Sequence, residues 1–120
     1  MNRFTDLGNP LLLLRALRYS ARGLTYAVKN ERAFQQEIIL LVVGTVAAFL
    51  LTDSNVERAV LIGPLAFVLV IELVNSAIEA TIDRIGPEQH PLSQRAKDLG
   101  SAAVLVSLVL SAAVWLIVLI

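Results

Sequence analysis

Glu72, Asn75, Ser76, Glu79 and Asp83 are the residues whose types and spacing could do chemistry in this 120-residue sequence. On a helix, at about 100° per residue, they fall within roughly one third of the circumference and form one polar stripe. Ala59 to Ile71, just upstream, contains no charge, so the carboxylates grow out of a segment that reads as buried in lipid. A carboxylate at such depth costs about 2.5 kcal/mol or more on insertion scales and marks a candidate functional site. Glu31 and Glu79, with Glu88 or Asp98, are hard oxygen ligands in a chain with one histidine and no cysteine, which suits magnesium better than zinc. Magnesium is commonly held by one or two carboxylates together with substrate phosphates, and Lys97 and the arginines of the N-terminal surface helix could hold those phosphates. Glu72 sits about 10 Å deeper than Glu79, where it could serve as a base toward something arriving from the lipid. The same row could instead relay protons or cations, or pack polar residues between copies, and spacing alone leaves these readings open. There is no glycine-rich phosphate loop and no kinase catalytic loop. His90, alone in a loop, reads as a solvated or hydrogen-bonding residue.

The elements that must position this stripe are apolar helices. The chain is 57% hydrophobic, above an ordinary soluble domain, and the expectation is an all-α integral membrane protein. The absence of cysteine excludes a disulfide framework and a cysteine nucleophile. A formal net charge of zero argues against nucleic acid as a partner. Asn9-Pro10 predicts a helix start, with Arg15, Arg18, Arg22, Thr25 and Lys29 on one face of residues 9–30, as in an amphipathic helix lying on the membrane surface. The apolar stretch Leu11 to Leu14 is too short for a signal-peptide core. A first span is expected over about 33–51, placing Glu37 on the helix and Glu31 at the interface. Thr52 to Arg58 reads as a turn in which Asp53 and Glu57 stand against Arg58. The second span covers about 59–85, with a local irregularity expected at Gly63-Pro64. Gly86 to Pro91 breaks the helix, Ser93 is expected to cap the third span, about 93–120, and Ala96, Gly100, Ala103, Ser107 and Ser111 form a small-residue packing seam.

The basic residues set a topology. Arg3, Arg15, Arg18, Arg22, Lys29 and Arg32 precede the first span, and Arg84, Arg95 and Lys97 flank the second loop, whereas the first turn has only Arg58. The positive-inside rule then puts the N-terminus and the second loop in the cytoplasm. The carboxylate end of the second span, the Glu31 joint and the Lys97-Asp98 pair all fall on that side. A chain this short, with so much polar content in its spans, is expected to associate with copies of itself.

Three stretches carry a resemblance. Asn30-Glu31-Arg32-Ala33-Phe34-Gln35-Gln36-Glu37, then Glu72-Leu73-Val74-Asn75-Ser76-Ala77-Ile78-Glu79 with Asp83-Arg84, then His90 through Arg95-Ala96-Lys97-Asp98-Leu99-Gly100-Ser101-Ala102-Ala103-Val104 closely resemble the bacterial membrane diacylglycerol kinase family. The resemblance covers nearly the whole chain in the same order. It implies a homotrimer in the bacterial inner membrane, multi-pass with its N-terminus cytoplasmic, that transfers the γ-phosphoryl of MgATP to the hydroxyl of diacylglycerol to give phosphatidic acid. Undecaprenol is the alternative acceptor within the same family. By the family pattern Glu72 is the base, Glu31 and Glu79 hold the metal, and Asn75 and Asp83 support them. Tyr19, Glu31, Glu79, Glu88, Gln89, His90, Lys97 and Asp98 match nucleotide positions. Ala16, Leu17, Arg18, Tyr19 and Ser20, the joint Ala33, Phe34, Gln35, Gln36 and Glu37, and Glu72 and Ser101 match the lipid-substrate side. Two departures accompany the match: Leu12 stands where related sequences often carry an arginine, and Pro91 follows His90 directly.

Overall fold

The computed structural model describes residues 7–120. Four helices follow in order, α1 (Pro10–Asn30), α2 (Arg32–Leu51), α3 (Asn55–Ile85) and α4 (Pro91–Leu119), with no strand among the described residues. By their internal contacts they form two units, one ending at Arg32 and the other Ala33–Ile120. α2, α3 and α4 are each long and apolar enough to cross a membrane.

In the first unit, Asn9 caps α1, its side chain accepting from the Leu11 amide at 3.0 Å, and Pro10 occupies the first turn, where a missing N–H costs nothing. The helix stops at Glu31, whose extended backbone still donates to the Ala27 carbonyl at 3.0 Å.

In the second unit, α3 and α4 pack as an antiparallel pair. The buried face of α3 is Leu61, Leu65, Val68, Glu72 and Asn75, a run of four- and three-residue steps in which two polar residues continue an apolar seam. On α4 the buried face is Gly100, Ser107 and Ser111, with Val104 half-buried between them and Ala103 exposed, so Val104 replaces Ala103 in the expected seam. A seven-residue advance is two helical turns to within about 20°, so Gly100, Val104, Ser107 and Ser111 stay on one side. Much of the remaining surface of the three long helices is exposed Leu, Val, Ile and Phe, including Val42, Val46, Phe49, Leu105, Val106 and Val109.

α3 runs unbroken through Pro64, so the irregularity expected there does not interrupt the helix. Proline removes the donor for the Val60 carbonyl. One residue along, the Leu61 carbonyl accepts from the Trp115 indole Nε1–H of α4 at 2.9 Å. The indole thus ties α4 to the α3 backbone in the turn that contains Pro64, on the carbonyl next to the one the proline leaves without its helical donor.

Two helix ends differ from the sequence expectation. His90, not Ser93, caps α4: its Nδ1 accepts from the Leu92 amide at 3.1 Å, and Pro91 takes the first helical position. An Asn, Asp, Ser or Thr rule overlooks this cap, because here an imidazole nitrogen does the accepting and proline fixes the helical φ behind it. At the other end, Arg58 does not stand against Asp53 and Glu57. Its guanidinium donates to the Thr52 carbonyl (3.1 Å), to Asn55 Oδ1 (3.0 Å) and to the Phe49 carbonyl (3.4 Å), and it lies 4.3 Å from the Phe49 ring centroid. Glu57 instead accepts from the Thr52 hydroxyl, while Ser54 caps α3 from the Glu57 amide. Arg58 therefore satisfies carbonyls at the C-terminal end of α2 that the helix leaves without donors. Arg58→Ala is expected to destabilise the protein by about 1–3 kcal/mol, read as a lower midpoint of unfolding in detergent. Unchanged unfolding would mean that water replaces the guanidinium at no loss.

Candidate functional site

At the end of the α3–α4 pair opposite Trp115, the polar stripe of α3 meets the polar start of α4. Three steps mark its course. Asp83 is exposed and accepts from Lys97 Nζ of α4 at 2.8 Å. One turn deeper, Glu79 is half-buried and accepts from Asn75 Nδ2 at 3.3 Å. Deeper still, Asn75 and Glu72 are 7% and 6% exposed, buried in the seam between the helices. From Asp83 to Glu72 the rise is about 16 Å.

Gly86, Pro87, Glu88, Gln89 and His90 turn the chain from α3 into α4, and with Ile82, Asp83, Ser93, Gln94 and Lys97 they line a cleft of about 560 Å³. Of the residues expected to contact a nucleotide, the fold brings Glu88, Gln89, His90 and Lys97 to this one cleft. The fourfold grouping follows from the short connection: with α4 starting at Pro91, the His90 cap and Lys97 two turns later both stand beside the end of α3. Asp98 is not among the lining residues, and its carboxylate accepts from Gln94 Nε2 at 2.8 Å. Lys97 pairs across the helices with Asp83 and not with its neighbour Asp98. Gln94, which sequence reasoning passed over, lines the cleft and holds Asp98 in one place. Its i, i+4 spacing to Asp98 was the available signal.

The Lys97–Asp83 pair is solvent-accessible, with side chains 38% and 68% exposed. Solvent screens such a pair, so the ammonium can leave Asp83 for a phosphate at small expense.

Among the remaining expected residues of this unit, Phe34 and Glu37 of α2 are buried, Glu37 with one carboxylate oxygen lacking a hydrogen-bond partner, whereas Ala33, Gln35, Gln36 and Ser101 are exposed. In the other unit, Ala16, Leu17, Arg18, Tyr19 and Ser20 are exposed along α1, the Arg22 guanidinium lies 5.8 Å from the Tyr19 ring centroid, and Glu31 is half-buried at the helix end.

For a metal, no group of three His, Cys, Asp or Glu side chains converges among the described residues. Glu79 keeps acceptor capacity beyond the bond from Asn75, and it is a hard oxygen donor at the accessible end of a buried row. Such a donor fits a magnesium ion that takes one or two carboxylates and completes its sphere with phosphates and water, and does not fit a closed cage.

A family model described as prokaryotic diacylglycerol kinase matches residues 18–119. The chain is 44% identical over 107 residues to a protein of Escherichia coli (strain K12) named diacylglycerol kinase, covering 89% of this chain and 88% of the relative. It is 48% identical over 103 residues to a protein of the same name from Pseudomonas aeruginosa, with 86% and 84% covered. A third of that name, from Haemophilus influenzae, is 42% identical over 103 residues, with 86% and 87% covered.

Proposed function

Because the chain belongs to the prokaryotic diacylglycerol kinase family, we propose that it transfers the γ-phosphoryl group of ATP to the free hydroxyl of diacylglycerol. The products are ADP and phosphatidic acid. The observation that carries the reading is the arrangement at one end of the α3–α4 pair: a polar cleft lined by Glu88, Gln89, His90 and Lys97, with carboxylates descending from it along α3 into the apolar seam.

In this reading the cleft takes the nucleotide, and Lys97 exchanges Asp83 for phosphate oxygens. Glu79 and, in its own unit, Glu31 are the carboxylates that would hold a magnesium ion, and a bound ion would supply charge neutralisation. The lipid hydroxyl oxygen bonds to the γ-phosphorus as the bond from that phosphorus to the β–γ bridging oxygen breaks. The electron pair leaves with ADP, and Glu72 accepts the hydroxyl proton. Phosphoryl transfer asks a protein chiefly for position and electrostatic stabilisation, which a fixed row of side chains can supply. Asp98, held by Gln94, serves the nucleotide side, Phe34, Glu37 and Ser101 attend the lipid, and in the other unit Tyr19 is exposed and open to a nucleotide. α1 lies on the cytoplasmic surface of the inner membrane with its arginines toward headgroups, α2 to α4 cross it, and a homotrimer covers apolar faces left exposed on the single chain.

The test uses the purified full-length protein in mixed micelles with γ-labelled ATP, with and without magnesium, and with diacylglycerol or undecaprenol as acceptor. Label is expected in phosphatidic acid and only with the metal present. Label in undecaprenyl phosphate alone would reassign the acceptor, and label in neither lipid would retire the kinase reading in favour of a carboxylate relay for protons or cations.

A further inference from the structure

We propose that Gly100 is a positioning residue for Glu79, acting through Asn75: a bare backbone on α4 lets the Asn75 amide seat against it and hold the Glu79 carboxylate. This rests on the reading of Glu79 as a metal-holding carboxylate. Glycine is a poor helix former, so Gly100, buried well inside α4, calls for a local reason. The two other buried positions of α4, Ser107 and Ser111, carry side chains, and Ser107 satisfies its hydroxyl on the Val104 carbonyl at 2.7 Å. Close helix approach by itself thus does not demand glycine along this face. At Gly100 it is demanded by one neighbour. A Cβ there would overlap Asn75 Oδ1 and lie 3.3 Å from its Cγ, with Ile78 Cδ1 next at 3.7 Å.

Asn75 has little room to yield. It is 7% exposed, its Oδ1 is buried without a hydrogen-bond partner, and its Nδ2 makes the 3.3 Å bond to Glu79 Oε1. That bond is already slightly longer than the usual N–H···O range, so a modest rotation of the amide breaks it. An outer partner that orients a ligating carboxylate typically changes metal affinity by about 10–100-fold when lost. Gly100 reaches the same carboxylate one step further out, so the lower end of that range is expected.

The test measures Mn2+, as a spectroscopic probe, binding to the full-length protein with a non-hydrolysable ATP analogue, by electron paramagnetic resonance. Gly100→Ala is expected to weaken Mn2+ binding by about tenfold with the unfolding midpoint held close to that of the native protein. Asn75→Ala is expected to weaken it likewise, and adding Gly100→Ala to Asn75→Ala is expected to cause no further loss, because the group it would strike is gone. A folded Gly100→Ala protein with native Mn2+ affinity overturns the proposal, as does native affinity in Asn75→Ala or a further loss in the double variant. If Gly100→Ala alone does not fold, Asn75→Ala and the double variant decide, since neither contains the overlap. A native protein that binds no Mn2+ with the nucleotide analogue fails earlier and removes the metal reading of Glu79 itself.

Discussion

Glu72→Gln is expected to lower the rate of phosphoryl transfer by about 10²- to 10⁴-fold, the span that a positioned general base contributes, while nucleotide uptake stays close to native. The substitution keeps the size and shape of a side chain that is 6% exposed in the α3 seam, one turn from Val68, so the helix pair loses no packing. What it removes is an oxygen able to accept the proton of the lipid hydroxyl. Depth makes this the largest effect expected from a single atom change. About 16 Å of helix rise separates Glu72 from Asp83 at the cleft, so in the proposed reaction the phosphates extend inward from the cleft to meet the lipid hydroxyl whose proton Glu72 accepts. The measurement is a single-turnover rate in mixed micelles beside an equilibrium nucleotide-binding curve. Substantial residual turnover would show that the proton leaves by another route, and a parallel loss of nucleotide binding would show that Glu72 serves structure.

Glu79→Gln should raise the magnesium concentration needed for half-maximal turnover by at least the 10–100-fold that loss of an outer partner produces, since the proposed role of Glu79 is that of a direct ligand. The neutral amide retains one oxygen but loses the charge that favours a divalent cation. The variant also separates Glu79 from its neighbours in the row. Asp83 lies one turn away at the exposed end of the row, and Asn75 is neutral, so neither places a carboxylate at that level of α3. A magnesium titration at fixed saturating ATP reads the effect. An unchanged titration would strike Glu79 from the ligand set and leave the Gly100 proposal without its object. The two variants should differ in kind as well as size: excess magnesium recovers turnover in Glu79→Gln and does nothing for Glu72→Gln.

The sequence by itself determined the helices and the sidedness of their faces. Uninterrupted apolar runs from Ile38 and from Ala59, and another ending at Ile120, can be satisfied in lipid only as helices, because every backbone donor then finds its acceptor within the segment. The 100° step puts Glu72, Asn75 and Glu79 on one face whatever that face packs against, and Asn9-Pro10 fixes the start of α1 from local chemistry alone. Local rules reached less far at the joints, where His90 caps α4 in place of Ser93 and Arg58 serves the end of α2 in place of Asp53 and Glu57.

Only the tertiary structure decided which residue of α4 meets which residue of α3. Periodicity gives the direction a side chain leaves its own helix, but not the rotation and axial offset of a second helix beside it, which are set by packing over the whole length of the pair. For that reason Lys97 finds Asp83 and not Asp98, Trp115 finds the Leu61 carbonyl beside Pro64, and Gly100, one member of a small-residue seam in the sequence, stands against the Asn75 amide. The stripe on α3 is a property of one helix, whereas the cleft and the seat for Asn75 exist only where two helices fix one another's offset.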